Sequence, residues 1–455
     1  MSREYLLSKE KISKSVLKIS TPSAISTLSS VIYSIINTIF IGRYVGVVGI
    51  AAISIYLPVQ MLIVAISALF ASGIGSLISR MLGRKDELSA TKSLGTLVCI
   101  TATVSILVSI IGVIFAPFIV HIFGAQGDVL AYASSYGRIM FIGTLFYPSC
   151  VAATSAIRSL GDTKFYMRGT LISVVANIVF DILFIVILGY GVMGAALATV
   201  LSKFINFVYI AYYFKYKSPI KIKLEYIKYN LKIMRESLPI GISTFINEFT
   251  GSMAIMLLNR DLYALGGNYV IAVYGIVFKL TSFIQRLVAG FSRGTQPLIG
   301  FNTGAKNQER VMGTLKWGII YSTILAAVMT VIMIIFSKYF MALFTDSNDL
   351  IQYGEGVLII ALLGSPLLGL YFISITYFKA VGKAKEAIIL SLFRRVIFFI
   401  PFLYILPYTL GLGLMGIWIT LPLSNLLSAI VSGILLFREF KKSKSLANKK
   451  TVQTT

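Results

Sequence analysis

The chain has 455 residues, of which 57% are hydrophobic and 13% are charged, and its mean hydropathy is +0.87. A soluble domain cannot bury that much apolar surface, so the composition excludes an ordinary soluble globular protein and indicates a membrane protein. The formal net charge of +24 lies between the hydrophobic segments, where it favours contact with anionic lipid over nucleic-acid binding.

Hydrophobic segments long enough to cross a bilayer recur along the chain, separated by short polar stretches. A span needs about 20 apolar residues, and twelve segments meet this requirement. We therefore predict an all-α polytopic membrane protein with twelve transmembrane helices. In chain order the predicted spans are 17–41, 50–77, 94–120, 132–156, 167–188, 193–214, 237–259, 270–297, 316–340, 352–377, 386–407 and 414–437.

Lys and Arg residues alternate between successive loops. Both termini and every second loop are basic, whereas the intervening loops hold only Arg43, Arg260 and Lys338. The positive-inside rule then predicts that both termini and the linker 215–235 are cytoplasmic. The basic N-terminal segment has no small-residue cleavage site before the first span, so we expect no removed signal peptide.

The chain also repeats itself. An offset of 221 residues relates Gly73 to Gly294, Gly83 to Gly304, and their neighbours in two matching loops. With six spans in each copy, the copies are parallel and related by a pseudo-twofold axis along the membrane normal. We predict an N-terminal lobe (1–214), a basic linker (215–235), a C-terminal lobe (236–437) and a cytoplasmic tail (438–455). Two such bundles favour a central cavity that opens alternately to each side.

Residues that could support an enzyme or a resident metal are sparse. Cys99 and Cys150 fall in predicted spans without partners at metal-ligand spacing, and His121 is the only histidine. No catalytic constellation and no ATP-binding loop is present, so we expect a non-enzymatic protein without cofactors, driven by an ion gradient.

Six segments, in order along nearly the whole chain, resemble the MATE family (multidrug and toxic compound extrusion), in its DinF-like branch. They are IFIGR (39–43), ISRMLG (78–83), IRSLGDT (157–163), NIVFD (177–181), GVMGAALAT (191–199) and QPLIGFN (296–302). The resemblance implies two six-helix lobes that export drugs or organic cations in exchange for inward Na⁺ or H⁺.

The strongest candidate for the coupling site lies in the fifth predicted span. Asn177 precedes Asp181 by four residues, so both side chains share one helix face. A carboxylate and an amide carbonyl can bind Na⁺, and a carboxylate can also carry a proton. The resemblance adds that this Asn-x-x-x-Asp pattern helps form the cation site of the N-terminal lobe. The alternative is an ion pair between Asp181 and Arg138.

Asn37, in the first span, falls where many family members carry Asp. Asn can bind a cation but cannot accept a proton, so this departure leaves Asp181 as the only candidate titrating group of its lobe. Tyr33 precedes Asn37 by one helical turn, and we expect both to face inward. The alternative for Asn37 is a hydrogen bond between helices.

Glu248 is the second acid predicted inside the membrane. Thr244 and Ser252 flank it at four-residue spacing and extend a polar stripe. The resemblance implies a role in ion coupling, because an acid near this place in the seventh span serves that role in another branch of the family. The alternative is a salt bridge with Lys279.

Cations outnumber acids in the predicted spans. One interpretation is pairing, snorkelling or capping of backbone carbonyls, and the other is contact with an anionic group of the substrate. We assign Lys279 and Arg394 with Glu248 as substrate or coupling candidates of the C-terminal lobe. Because Arg394 and Arg395 are adjacent on a helix, at most one should face a central cavity. The cations concerned are Lys203, Lys279, Arg286, Arg394 and Arg395.

Aromatic and Met side chains could line a pocket for flat hydrophobic drugs through cation–π contacts and adaptable packing. The alternative is that they face lipid or the helix core. The candidates are Tyr33, Phe180, Phe184, Phe245, Met253 and Met256.

Together these features predict a monomeric, cation-coupled multidrug antiporter of a bacterial plasma membrane, whose partners are small drugs, organic cations and membrane lipids, not nucleic acid. The alternative function is a lipid-linked saccharide flippase of the same superfamily, in which Arg and Lys would neutralise a pyrophosphate.

Overall fold

A computed structural model describes residues 3–452, except for the side chains of 38, 47, 48, 50, 51, 128, 268 and 442–452. Within that range the chain forms helices and their connections only, which confirms the all-α prediction. Among the described residues, eleven helices are long and apolar enough to span a membrane, and a bent helix pair, counted as one span, brings the number to twelve. The spans are α1 (Ile12–Tyr44), α2 (Ala52–Gly83), α3 (Glu87–Ile122), α4 (Val129–Gly143 and Tyr147–Ser159, bent by 44°), α5 (Thr163–Ile187), α6 (Gly191–Lys217), α7 (Leu231–Gly267), α8 (Tyr269–Gly304), α9 (Gln308–Ile335), α10 (Asn348–Val381), α11 (Ala384–Thr409) and α12 (Gly413–Lys441).

The turns after α2 and α8 have the same backbone conformation. Lys85 and Lys306 adopt φ values of 60° and 58°, and within the described part of the chain they are the only non-glycine residues with positive φ. The next residue caps the following helix: the Asp86 carboxylate accepts the Ser89 backbone N–H at 2.9 Å, and Asn307 does the same for Arg310 at 3.1 Å. The sequence repeat is therefore a repeat of backbone conformation.

The loops predicted to be basic lie together on one face, which we call the basic side. A short N-terminal helix, Arg3–Ser8, reaches the turn after α4 through an ion pair from Arg3 to Asp162 at 2.8 Å. The same helix reaches α8, where the Asn302 amide donates to the Leu7 carbonyl at 2.9 Å. At the end of α12, Glu439 pairs with Lys383 of the turn after α10.

Two lobes, α1–α6 and α7–α12, meet at glycines near the basic side. A Cβ on Gly73 would clash with the Ser237 carbonyl, and a Cβ on Gly294 would clash with the Ser20 backbone. Because Ser20 and Ser237 occupy equivalent positions in the two copies, these contacts are reciprocal across the pseudo-twofold axis. The repeated glycines therefore allow the helices of opposite lobes to approach closely.

Four stretches inside the spans are π-helical. Ile182–Ile187 begins directly after Asp181 in α5, Tyr213–Lys217 ends α6, and α11 contains both Phe393–Phe399 and Ile405–Thr409. A π-helical turn changes the direction in which successive side chains point, and such turns are frequent at functional sites. The residues predicted to carry function in α5 and α11 lie in or beside these turns.

Candidate functional site

A polar cluster in the N-terminal lobe contains the predicted coupling residues of α5. Asp181 is fully buried and Asn177 is 1% exposed. Within the described residues, both carboxylate oxygens of Asp181 and both amide atoms of Asn177 lack a hydrogen-bond partner. Leaving a buried polar group unpaired costs about 1–3 kcal/mol, and more for a charged group. Such a cluster is stabilised when a ligand supplies the missing interactions.

Helix α1 packs against α5 and contributes the next members of this cluster. The Tyr33 hydroxyl lies 3.1 Å from the Thr199 hydroxyl of α6, and it accepts a hydrogen bond from the Asn37 amide at 3.5 Å. Because the Asn37 amide nitrogen faces Tyr33, its Oδ1 is not used in that bond, and this buried atom has no partner among the described residues. Asp181 also interacts electrostatically with Tyr33.

These side chains supply the oxygen ligands that a hard cation requires. Asp181 offers two unpaired carboxylate oxygens, and Asn177 and Asn37 offer one amide oxygen each. Carboxylate and carbonyl oxygens suit small hard cations, and a buried carboxylate can instead take up a proton. The chemistry of this donor set fits Na⁺ or H⁺. The assignment of Asp181, Asn177 and Asn37 to cation coupling remains a prediction.

The alternative expected for Asp181 does not occur. Arg138 is exposed, and no ion pair to Asp181 is present in the part of the chain that the structure describes. Asp181 therefore lacks the counter-charge that would make it a purely structural acid.

Glu248 of α7 has a different partner from the one expected. Its carboxylate lies 3.8 Å from the Arg293 guanidinium of α8, and both side chains are nearly half exposed. Lys279, the expected partner, instead lies over the Phe344 ring at 5.6 Å. Thr244, one turn before Glu248, accepts a hydrogen bond from Lys379 at 2.9 Å.

We call the region around Tyr147 and Glu248, where the two lobes face each other, the cleft, and among the described residues it holds more cations than acids. Lys203 of α6 lies 5.8 Å from the ring centres of both Tyr33 and Tyr147. Tyr147, in the N-terminal lobe, interacts electrostatically with Arg286 and Glu248 of the C-terminal lobe. Lys203 and Arg286 thus approach the same tyrosine from opposite lobes.

Arg394 and Arg395 both border one internal cavity of the C-terminal lobe, although their adjacency predicted that their directions would diverge. They lie in the π-helical stretch Phe393–Phe399, where the side-chain directions depart from those of a regular α-helix. This cavity lies inside the C-terminal lobe, among α8, α10, α11 and α12, and not between the lobes.

The predicted pocket residues stack within their own helices. Phe180 stacks on Phe184 with ring centres 5.9 Å apart, and Phe245 stacks on Phe249 at the same separation. Tyr33 belongs to the polar cluster described above, whereas the side chains of Met253 and Met256 are exposed. The role of these six residues in binding a substrate remains a prediction.

Sequence reasoning missed Asp261. The seventh span was predicted to end at 259, which placed Arg260 in an outer loop, but α7 continues to Gly267. Asp261 is 2% exposed, one carboxylate oxygen lies 3.4 Å from the Tyr408 hydroxyl, and the other has no partner within the described residues. The only available signal was an acid beside the boundary of a span.

Comparisons with known proteins agree with this architecture. The sequence profile of the MatE family matches residues 22–183 and 239–405, one segment in each lobe. The chain is 29% identical over 439 residues to the multidrug export protein MepA of Staphylococcus aureus (strain MSSA476), with 95% of each chain covered.

Two solved structures have the same fold. One is the outward-facing conformation of a multidrug resistance MATE family transporter of the MOP superfamily, with a TM-score of 0.92, 24% identity, and 98% of this chain and 99% of the other covered. The second is a MOP superfamily transporter from Pyrococcus furiosus, described as having a binding pocket of reversed polarity. It has a TM-score of 0.89, 25% identity, and coverage of 97% and 98%.

Proposed function

The chain belongs to the MatE family of multi-pass membrane transporters, and from this membership we propose that it is a cation-coupled multidrug antiporter working by alternating access. It is a transporter and not an enzyme. The similarity to a protein named for multidrug export supports drugs and organic cations as its cargo. A bacterial plasma membrane, with the basic side in the cytoplasm, is the proposed location.

One observation carries the coupling part of the proposal: Asp181 is fully buried, and neither of its carboxylate oxygens has a partner within the described residues. Asn177 and Asn37 add unpaired amide oxygens. An inward-moving Na⁺ or H⁺ would satisfy this cluster when it binds there, and its release would leave the cluster unsatisfied again.

Alternating access requires that the two lobes separate and close on opposite sides of the membrane. The glycine contacts near the basic side describe a conformation in which the lobes are closed on that side. A bound cation can favour one conformation only through its differential affinity for the two. The proposed sequence is drug release to the outside, cation binding at Asp181, and return to a conformation open to the cytoplasm.

The test uses the purified protein in liposomes, loaded with a fluorescent dye such as ethidium, under an imposed Na⁺ gradient and then an imposed H⁺ gradient. Wild-type protein should export the dye faster under at least one gradient. Asp181→Asn should abolish this acceleration, whereas the exposed Asp346→Asn, a matched control outside the spans, should not. Gradient-driven export by Asp181→Asn at the wild-type rate would refute the coupling assignment.

A second candidate function is supported by the positive charge of the cleft, where, among the described residues, Lys203, Arg286 and Arg293 accompany one acid, Glu248. A flippase for lipid-linked saccharides would use such cations against a pyrophosphate. The Pyrococcus protein, which has the same fold, is also described as having a binding pocket of reversed polarity, and this supports the second candidate. Transfer of a fluorescent pyrophosphate lipid between leaflets, lost in Arg286→Gln while dye export persists, would favour the flippase.

A further inference from the structure

The internal cavity beside Arg394 belongs to neither the predicted coupling site nor the cleft. The volume open to the centre of a water molecule is about 30 Å³, which is enough for one or two particles of that size. Helices α8, α11 and α12 provide its polar lining, which consists of Thr281, Gln285, Arg394, Arg395, Ser424 and Asn425. No Asp or Glu is among the residues that line it.

Arg394 brings a positive charge into this cavity without a counter-charge. It is 5% exposed, and its guanidinium lies over the Tyr371 ring at 4.9 Å. The guanidinium donates to the Asn425 Oδ1 at 3.2 Å and to the Gln285 Oε1 at 3.1 Å, both of which are neutral. Arginine does not lose its proton in proteins, so deprotonation cannot remove the charge.

Arg395 adds a second positive charge. Its Nε atom is buried and has no hydrogen-bond partner in the described part of the chain, and the guanidinium lies over the Phe399 ring at 5.9 Å. Neither arginine forms an ion pair with any described acid. Arg394 is buried and Arg395 is half-buried, and two like charges that share one cavity without an acid are destabilising unless something negative is bound between them.

The neutral residues of the cavity also present hydrogen-bond donors. Because arginine has no acceptor, the amide groups of Asn425 and Gln285 must turn their oxygens towards Arg394, which leaves their NH₂ groups as donors. The hydroxyl protons of Ser424 and Thr281 are already donated to the backbone of their own helices. The free donors are thus those of the two arginines and the two amides.

We propose that this cavity of the C-terminal lobe binds a small monovalent inorganic anion such as chloride. The anion neutralises Arg394 and Arg395, accepts hydrogen bonds from the amides of Gln285 and Asn425, and joins α8, α11 and α12. The size of the cavity fits a monatomic ion and excludes a drug or a lipid head group. This proposed anion site does not depend on which substrate binds in the cleft.

The experiment compares chloride with gluconate, an anion too large for the cavity, at constant ionic strength. Purified protein is exchanged into gluconate and titrated with chloride, while radioactive chloride binding and the midpoint of thermal unfolding, Tm, are measured. We expect saturable binding of one chloride per chain and a rise in Tm of about 2 °C or more, since a ligand that binds only the folded state stabilises it.

Two variants keep the result interpretable. Arg394→Gln should lose chloride binding, but it also removes two hydrogen bonds and could fail to fold. Asn425→Asp avoids this problem, because its carboxylate supplies the missing negative charge inside the cavity. That variant should fold, bind no chloride, and have the same Tm in chloride and in gluconate.

Arg168→Gln, at an exposed position of α5 in the other lobe, is the matched control and should keep the chloride response of the wild type. If wild-type Tm is the same in both anions and no chloride binds, the cavity holds water alone and the proposal fails. It also fails if Asn425→Asp binds chloride as the wild type does.

Discussion

Gly83 and Gly304, at equivalent positions of the two lobes, each lie against the backbone of the opposite lobe. A Cβ on Gly83 would clash with the Phe301 carbonyl, and a Cβ on Gly304 would clash with the Arg80 carbonyl. Arg80 and Phe301 are themselves related by the 221-residue offset, so the contact is reciprocal. This pair fixes how closely α2 and α8 approach near the basic side.

Gly83→Ala should therefore prevent full closure of the basic side. Overpacking a tight contact costs about 1–3 kcal/mol, and here the lobes can relieve it by separating. We expect slower dye export and faster thiol labelling of Ser76→Cys, a buried interface position, in a background without Cys99 and Cys150. Gly433→Ala, where a Cβ meets open space, is the control. Unchanged labelling in Gly83→Ala would contradict the role of this contact.

Asn37→Asp should strengthen cation binding in the N-terminal lobe. The change adds a second carboxylate to the cluster that contains Asp181, and affinity for hard cations rises with the charge of the ligand set. We expect a lower Na⁺ concentration for half-maximal dye export, or a second proton per cycle if H⁺ is the coupling ion. Asn37→Ala should shift the same measurement in the opposite direction. No shift in either variant would place Asn37 outside the cation site.

Glu248→Gln should change the rate of transport without changing the stability of the protein. The Glu248–Arg293 pair is nearly half exposed, and such pairs contribute about 0–1 kcal/mol, so Tm should change little. Dye export should fall severalfold if Glu248 serves coupling or substrate binding. Glu225→Gln, which breaks the exposed pair with Lys223 in the linker, is the control for both measurements. Wild-type export by Glu248→Gln would assign the acid a structural role only.

The helix cap at Asp86 should make stability depend on pH. The backbone N–H of Ser89 lowers the pKa of the Asp86 carboxyl below its ordinary value of 3.8. A lowered pKa in the folded state means that the stabilisation is complete above the unfolded pKa and is lost as the pH falls through the folded one.

The other lobe supplies the matched control for this cap. Asp86→Asn reproduces the uncharged cap of Asn307 and should remove the contribution of this site to acid sensitivity while keeping the cap. Asp86→Ala should lower the unfolding free energy by about 1 kcal/mol at neutral pH. Thermal unfolding of the wild type, Asp86→Asn and Asp86→Ala between pH 7 and about pH 3 measures the pH dependence of stability. Identical pH dependence in all three proteins would exclude the cap as a source of acid sensitivity.

The sequence by itself determined the number of spans, the duplication into two lobes, the common side of the basic loops and the shared face of Asn177 and Asp181. These properties depend on the composition of each segment and on helical periodicity, which are local, so they can be derived without knowing how the helices pack.

Only the tertiary structure determined which side chains contact one another. It placed Arg293 rather than Lys279 beside Glu248, left Asp181 without Arg138, and extended α7 so that Asp261 is buried. The rotation of each helix about its axis and its contacts with other helices set these outcomes, and periodicity does not encode them. The π-helical stretch of α11, which brings Arg394 and Arg395 to one cavity, departs from the regular helix on which sequence reasoning rests.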